Sequence, residues 1–210
     1  LIAEHCGADS ITIHLREDRR HIRDNDLKII KKKILIPLNL EMAPTKEMLK
    51  VALRHKPNYV CIVPEKRAEV TTEGGLNLYR KKQFLKKIIN ILKKNNIRVS
   101  LFVEPNISDI ALSKKFGADC VEIHTGRYCN LYNNKKRTKS EFLRIKKSAT
   151  FADKIGLEAH AGHGLNYKTA YMISKIKHIS ELNIGHFIIA ESIFISLKNS
   201  IKRFKNIINN

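Results

Sequence analysis

The chain has 210 residues, enough for one sizeable domain with its own core, and its 43% hydrophobic content excludes a disordered protein. The sequence contains neither an apolar run of membrane-spanning length nor a signal-peptide pattern, so no membrane association is expected. Its formal net charge of +20 comes from 40 basic against 20 acidic residues, but the basic residues are spread along the chain without interleaved aromatic residues, which favours an overall compositional bias over a nucleic-acid-binding surface.

Strand and helix patterns alternate along the chain. The opening segment LIAEHCGAD has the pattern of the last turns of a helix that is capped by Gly7. Short apolar segments then predict seven β-strands, at 10–14, 35–40, 58–63, 97–103, 119–124, 157–161 and 182–189. Between and after them lie predicted helices at 25–33, 45–55, 79–95, 107–116, 140–155, 167–177 and 192–208.

This alternation predicts an α/β protein with a parallel sheet covered by helices. Seven strands are in view and an eighth is expected before the opening helix, so the predicted fold is a single (β/α)₈ TIM barrel over residues 1–210 that lacks its first β-strand in this chain. An open doubly wound sheet is the alternative, but no GxGxxG motif or P-loop follows any strand.

Polar side chains occur at the carboxyl end of nearly every predicted strand. In a barrel these ends converge on one mouth, where active sites are built. The residues in these positions are His14, Glu41, Glu65, Glu104, Glu122, His124, His160, His163, Asn183, Gly185 and His186. Proton transfer requires groups that titrate near neutral pH, so His14 and Glu41 are predicted general bases and His163 a predicted acid.

Two anion sites are predicted at the same mouth. Arg16 and His21 lie on the first loop, and arginine forms bidentate contacts with phosphate. Gly164 and Gly185 follow the last two strands, where exposed backbone N–H groups form the usual phosphate pocket of a barrel. The loop TTEGGL at 71–76 is predicted to fold over a substrate.

Neither a metal site nor a disulfide framework is expected. The histidines at the strand ends form no HxH or HExxH spacing and have no carboxylate at a typical ligand position beside them. The four cysteines form no CxxC pair, which is typical of reduced, buried thiols in a cytoplasmic protein.

Six motifs occur in order through essentially the whole chain: GADSITIHLREDRRHI, NLEMA, VPEKRAEVTTEGGL, EIHTG, AGHGLNY and ELNIGH. Together they closely resemble the pyridoxine 5'-phosphate synthase family, the deoxyxylulose-dependent enzymes of vitamin B6 synthesis. The resemblance implies a metal-free barrel that needs no cofactor and assembles as a homo-octamer. It also implies that 3-amino-2-oxopropyl phosphate condenses with 1-deoxy-D-xylulose 5-phosphate, releasing phosphate and water.

The resemblance also assigns roles to residues that match the family's motifs. It makes His14 and Glu41 proton acceptors, His163 a proton donor, and Glu122 the group that stabilises charge in the transition state. The deoxyxylulose phosphate would contact Arg16, His21 and Thr71, and the amino-ketone phosphate would contact Gly164, Gly185 and His186.

The chain departs from the family pattern at three places. The family's opening strand, with an Asn and an Asp-His pair, is absent from it, which implies an unclosed barrel with little activity for the chain as given. Ala190 and Glu191 replace a Gly-Arg pair at the phosphate end, and His160 replaces a smaller polar residue. The open alternatives are another phosphate-substrate barrel lyase or isomerase, and a nucleic-acid-binding module.

Overall fold

The computed structural model describes residues 1–65 and 74–209. Within them, seven parallel strands form one sheet in which spatial order follows chain order. The strands are β1 Ile11–His14, β2 Leu38–Met42, β3 Tyr59–Ile62, β4 Arg98–Val103, β5 Cys120–His124, β6 Glu158–Gly162 and β7 Ile179–Asn183. The helices are α1 Ile2–His5, α2 Asp24–Lys33, α3 Lys46–His55, α4 Lys82–Lys94, α5 Ile107–Phe116, α6 Gly126–Asn133, α7 Lys139–Lys154, α8 Tyr167–Ser174, α9 His186–Ile195 and α10 Leu197–Asn209.

The two faces of the sheet differ in chemistry, because successive side chains of a strand point to opposite sides. On the outer face, Leu40, Ile62 and Leu101 are fully buried in the main hydrophobic core, which also contains helix residues such as Ile88 and Ile145. The inner face holds a separate small cluster of Cys61, Val63 and Phe102, together with most of the polar strand residues. The helices therefore cover the outer face, and the inner face lines a lumen.

The sheet curls so strongly that its two edge strands approach each other. Thr12 on β1 donates a hydrogen bond of 3.0 Å to the side-chain oxygen of Asn183 on β7. Thr12 also accepts one of 3.3 Å from Asn39 on β2. These bonds join residues of the first, second and last strands across the lumen, so inward-pointing side chains of distant segments meet there.

Local sequence signals account for the ends of several helices. Thr45 caps the start of α3 by accepting a hydrogen bond from the Met48 backbone at 3.3 Å. Gly117 ends α5 in the left-handed conformation, with φ of 90°, which glycine adopts without steric cost. Both ends agree with the predicted helix boundaries at 45–55 and 107–116.

The second strand lies further along the chain than predicted. The prediction placed it at 35–40, but the strand is Leu38–Met42. Leu35 is 95% exposed, and its backbone N–H donates to the Glu4 carboxylate at 2.8 Å instead of to a neighbouring strand. Glu41 therefore lies inside β2, opposite His14 on β1 and Cys61 on β3, rather than just after the strand.

The prediction was also wrong in the last apolar segment. The strand predicted at 182–189 is β7, Ile179–Asn183, and the residues from His186 form helix α9. The single helix predicted at 192–208 is divided at Ser196, whose φ is 73°. Short apolar runs have no periodicity that separates a buried strand from a helix, which explains the error. Helix α6 was not predicted at all.

The four cysteines are free and buried, as expected. None of the helices in the described ranges has both the length and the apolar character needed to cross a membrane.

Candidate active site

His14 lies between two carboxylates where β1, β2 and β3 end. Its Nδ1 is 3.8 Å from Glu41 Oε2, and its Nε2 is 3.7 Å from Glu65 Oε2. Burial, and after it the positive charge of Arg16, lowers the pKa of His14 to about 4. The imidazole is therefore neutral near pH 7 and able to accept a proton.

The same surroundings shift the pKa of Glu41 in the opposite direction, upwards. Its side chain is only 23% exposed, and burial raises its pKa to about 7. The neighbouring residue on β3 is Cys61, a poor substitute for water around a charged carboxylate. Near neutral pH, Glu41 is consequently present in both its acid and its base form, which suits a group that shuttles protons.

The arginines of the first loop differ in their partners. The guanidinium of Arg16 is buried, and it donates two hydrogen bonds of 3.3 Å to Asp18, holding the pKa of that carboxyl well below its usual range. Arg19 instead points to α2 and α3, where it pairs with Asp24 at 2.8 Å and Glu47 at 2.6 Å. Arg16 thus belongs to the mouth, and Arg19 fastens the loop to the helices.

Glu122 is a buried carboxylate of the lumen. Its Oε2 accepts a hydrogen bond of 3.0 Å from the Asn183 amide and a weaker one of 3.7 Å from the Cys61 thiol. Burial raises the pKa of Glu122 well above its ordinary value, and the negative charges of Glu41 and Glu181 raise it further. The carboxyl group of Glu122 therefore holds its proton more tightly than an exposed glutamate does.

Gly162 makes room for this carboxyl group. A methyl group at Gly162 would lie 2.0 Å from Glu122 Oε1, and 3.2 Å from the Cβ of Asn183. No side chain fits there while Glu122 and Asn183 keep their positions, so the absence of a Cβ at the end of β6 shapes the site.

The ring of His163 packs with the rings of His124 and Phe102. Its ring lies 5.0 Å from that of His124 and 6.5 Å from that of Phe102, measured between centroids. Burial, and after it the nearby charges of His124 and His186, lowers the pKa of His163 to about 4. His163 has a φ of 79°, an uncommon conformation for a residue with a side chain, and such strain is found at functional sites.

The residues of the expected second anion site are Gly164, which follows His163, and the two residues at the start of α9. Gly164 has a φ of 77°, and Gly185 precedes the first residue of α9, which is His186. Gly185 and His186 are exposed, so their backbone N–H groups at this helix start are accessible to an anion. The charge of His186 is also one of the causes that lower the pKa of His163.

The structure thus brings His14 close to Glu41 and, through Glu65, to Arg16, while Glu122 contacts Cys61 and Asn183, and His163 packs against His124. His21 lies close enough to His14 to lower its pKa. Thr71 lies outside the described residues. His160 turns to Glu158, at 2.8 Å, and away from His163. No cluster of three or more metal-ligating residues exists within the ranges that the structure describes.

Sequence reasoning missed two groups that act on Glu122. These are the Cys61 thiol and the Glu181 carboxylate, both on inward-facing strand positions. Period-two alternation identifies these positions once a strand's boundaries are known, because Cys61 has the same orientation as Val63, and Glu181 the same orientation as Asn183. The misplaced boundaries of the last strand hid Glu181.

Comparison with known proteins decides the family. The sequence profile of the family described as "Pyridoxal phosphate biosynthesis protein PdxJ" matches residues 1–210. The chain belongs to this family. Relatives named pyridoxine 5'-phosphate synthase include a Pelagibacter ubique protein, 54% identical over 99% of this chain and 88% of its own length. Another from Aquifex aeolicus is 48% identical over 99% of this chain and 88% of its own length.

Solved structures show the same type of fold for this PdxJ-family chain at low sequence identity. A 4-hydroxy-2-oxoglutarate aldolase from TTHB1 has a TM-score of 0.63 at 10% identity, and covers 99% of this chain and 84% of its own. A phosphoribosyl anthranilate isomerase has a TM-score of 0.61 at 15% identity, covering 99% of this chain and 91% of its own. The curled parallel sheet is therefore of the TIM-barrel type.

Proposed function

We propose that this protein is a pyridoxine 5'-phosphate synthase that condenses 3-amino-2-oxopropyl phosphate with 1-deoxy-D-xylulose 5-phosphate, giving pyridoxine 5'-phosphate, phosphate and water. The observation that carries the proposal is the pairing of His14 with Glu41, two groups whose pKa values are shifted in opposite directions by the same lumen. Membership of the family supports the choice of reaction.

The proposed roles follow from the protonation states. His14 and Glu41 accept protons, because neutral imidazole and ionised carboxylate are both available near pH 7. Glu122 stabilises developing charge in the transition state, a role that the raised pKa of its buried carboxyl group supports. Imine formation, enolisation, loss of phosphate, ring closure and dehydration each need proton transfers at or next to carbonyl groups, which these side chains can perform.

His163 has the role of proton donor. Because its pKa is low, the ring carries a proton to donate only when its surroundings raise that pKa. In the free protein the ring is neutral near pH 7, because burial, and after it the charges of His124 and His186, disfavours a positive charge. Two bound phosphate groups bring negative charge to the mouth and raise the pKa of His163. The donor is therefore charged by substrate binding, which restricts proton donation to the occupied site.

The phosphate groups divide between the two sides of the mouth. Arg16, His21 and Thr71 contact the deoxyxylulose phosphate, a role that the buried Arg16 guanidinium beside His14 supports. Gly164, Gly185 and His186 contact the amino-ketone phosphate, which the exposed start of α9 supports.

The test replaces His14 and Glu41 by alanine, one at a time, and measures pyridoxine 5'-phosphate formed from the two substrates. Loss of a positioned proton acceptor is expected to lower kcat by roughly 10²–10⁴-fold. Circular dichroism confirms that each variant is folded.

Asp153→Asn is the matched control. It removes a carboxylate that pairs with a histidine, His178, at 3.2 Å on the outer surface, so product formation should stay unchanged. Rates near those of the unmodified chain in both the His14 and Glu41 variants would remove the assigned roles.

We further infer that the seven strands are part of an eight-stranded barrel, and that residues 1–210 form one domain. The approach of β1 to β7 through the bond between Thr12 and Asn183 supports a nearly closed cylinder. The main core continues from α2 to α10 without interruption, which supports a single domain.

A homo-octamer in the cytoplasm is the proposed state of the protein. Three exposed apolar residues of α9 support association with other copies: Ile189, Ile193 and Phe194. The four free thiols support a reducing compartment. Sedimentation equilibrium measures the assembly, and a monomer at all concentrations contradicts it.

Two other functions receive less support. A lysine-dependent aldolase needs an amine at the reacting carbon, but none of the seven strands that the structure describes contains lysine. Nucleic-acid binding rests on the charge of +20 alone. It predicts tight, salt-dependent binding to random DNA with no product formation, the reverse of what the synthase predicts.

A further inference from the structure

A second histidine–carboxylate pair lies beside His163 and has no part in the roles proposed above. The Nδ1 of His124 is 2.9 Å from Glu104 Oε1, a hydrogen-bond distance. The hydrogen bond from His124 is the largest cause that lowers the pKa of Glu104, so the carboxylate is ionised. An ionised acceptor at Nδ1 requires that this nitrogen carry the proton, and it fixes the orientation of the ring.

The other side of the His124 ring faces the site. Its Nε2 is buried and has no hydrogen-bond partner among the described residues. The ring centroid of His124 lies 5.1 Å from that of Phe102 and 5.0 Å from that of His163, and the Phe102 and His163 centroids are 6.5 Å apart, so the three rings form one cluster. His124 therefore supports the catalytic ring of His163 directly.

The packing between the two histidines leaves no spare room. A methyl group at Gly126 would lie 2.5 Å from His124 Nε2 and 2.8 Å from His163 Cδ2. On the far side, the Thr125 hydroxyl donates a 2.7 Å hydrogen bond to the carbonyl oxygen of His163. Backbone and ring of His163 are thus held from the end of β5, and a rotation of His124 would move the catalytic ring.

The same Glu104 oxygen has a second donor. The backbone N–H of Gly75 donates to Glu104 Oε1 at 2.8 Å. A methyl group at Gly75 would lie 2.3 Å from the backbone nitrogen of Glu104, so this close approach requires glycine. One carboxylate oxygen therefore joins the segment at Gly75 to the histidine pair.

We propose that Glu104 is a positioning residue for the synthase reaction, which acts through His124 to fix the ring of His163 and ties this pair to Gly75. The inference rests on the proposed function, because it gives His163 the role of proton donor. His124 supplies the contact with His163, and Glu104 sets the tautomer and orientation of His124. His186 is the other titratable side chain that acts on His163 in the described part of the chain.

The kinetic test compares Glu104→Ala with Glu104→Gln in the full chain. The alanine variant loses both hydrogen bonds, and its kcat is expected to fall roughly 10–100-fold, as for a catalytic group displaced by about 1 Å, with little change in KM. The glutamine variant keeps an oxygen that accepts from both donors, so most of the activity should return. The surface pair variant Asp153→Asn should match the unmodified chain.

A double-mutant comparison tests whether Glu104 acts through His124. His124→Phe keeps an aromatic ring against Phe102 and His163 but cannot bond Glu104. The double variant Glu104→Ala, His124→Phe should be no slower than Glu104→Ala alone, because both changes break one chain of contacts. Multiplicative losses would mean that the two residues act independently, and would overturn the proposal.

Titration of the His163 ring protons by NMR provides a readout that does not depend on turnover. Removing the His124 imidazole in His124→Phe should raise the pKa of His163 only partly from about 4, because burial, the largest cause of the low value, is retained. Glu104→Ala should shift the His163 ring resonances, and Glu104→Gln should leave them in place. Unchanged resonances in Glu104→Ala contradict the positioning role. Absence of product from the unmodified chain, with these shifts intact, contradicts the synthase function instead.

Discussion

At the scale of single residues, the same buried surroundings shift the pKa values of an acid and a base in opposite directions. Burial raises the pKa of Glu41 to about 7 and lowers that of His14 to about 4. Between these values the carboxyl group keeps its proton and the imidazole is neutral, so the pair carries no charge. Above pH 7 Glu41 ionises beside a neutral His14, and both groups are then proton acceptors.

The raised pKa of Glu41 makes the stability of the fold depend on pH. A proton bound more tightly in the folded chain stabilises it fully below the ordinary value of 4.5, and this contribution is lost as pH rises through about 7. Glu41→Gln imitates the protonated form at every pH. We expect it to match the unmodified chain near pH 5 and to be more stable, by up to about 3 kcal/mol, near pH 8.

Urea unfolding at the two pH values measures this difference. Glu47→Gln on α3 is the control, since its carboxylate is 59% exposed and pairs with Arg19 at the surface. Its effect should stay within about 1 kcal/mol at both pH values. A constant difference between Glu41→Gln and the unmodified chain over this range would show that Glu41 ionises normally in the fold.

Gly162 gives a second prediction at this scale. In Gly162→Ala the new methyl group would lie 2.0 Å from Glu122 Oε1, so the carboxyl group must move and lose its bond to Asn183. We expect a loss of about 1–3 kcal/mol in the free energy of unfolding, with product formation reduced. Unfolding and activity measurements check it.

Gly74→Ala provides the comparison for Gly162→Ala. The nearest atom to its added methyl group would be Glu104 Oε1 at 3.6 Å, an ordinary contact. Its stability should change by less than about 0.5 kcal/mol. Equal losses in the two alanine variants would mean that crowding of Glu122 is not the cause.

At the scale of elements, helix α3 is followed by a residue with a strained backbone conformation. Lys56 follows the helix with φ of 46° and ψ of 60°, the left-handed region that glycine adopts freely. Lys56→Gly should stabilise the protein by about 0.5–1 kcal/mol. Lys50→Gly, inside the same helix, should destabilise it by about 1 kcal/mol. Thermal unfolding compares the pair, and destabilisation by both changes would contradict the strain at Lys56.

Sequence reasoning predicted elements well where their two faces differ. It placed β4 and β5 within two residues of their observed ends, because buried apolar residues alternate there with inward-facing groups. It failed for IGHFIIAESIFI, residues 184–195, whose apolar residues occur on every side of α9. In that segment only tertiary contacts distinguish a strand from a helix.

Sequence reasoning predicted the candidate residues of the site better than it predicted the contacts that those residues make. Strand-end position identified His14, Glu41 and Glu122 because parallel strands converge at their carboxyl ends. Position on the loop does not distinguish Arg16 from Arg19, but the resemblance to the family singled out Arg16. Packing separates them, burying Arg16 at the mouth and pairing Arg19 with the helices.

At the scale of the whole molecule, the curled sheet converts sequence-distant segments into one chamber. Thr12 and Asn183 are 171 positions apart in the chain and share a hydrogen bond. The contacts of Glu122 with Cys61 and Asn183 also join strands that are far apart in sequence. Long-range pairing of this kind requires most of the fold to be present, so the chemistry of the site depends on the barrel as a unit.

The net charge of +20 gives the final prediction. A basic surface attracts anions over distances set by the Debye length, about 10 Å at 0.1 M salt. With two phosphorylated substrates, kcat/KM should fall several-fold as salt rises from about 0.05 to 0.5 M, while kcat stays nearly constant, because screening slows encounter and leaves the buried site unaffected.

Charge reversal of Lys86 and Lys87, on the surface of α4, should lower kcat/KM at low salt only. A salt-independent kcat/KM would mean that the charge of the surface has no part in substrate capture.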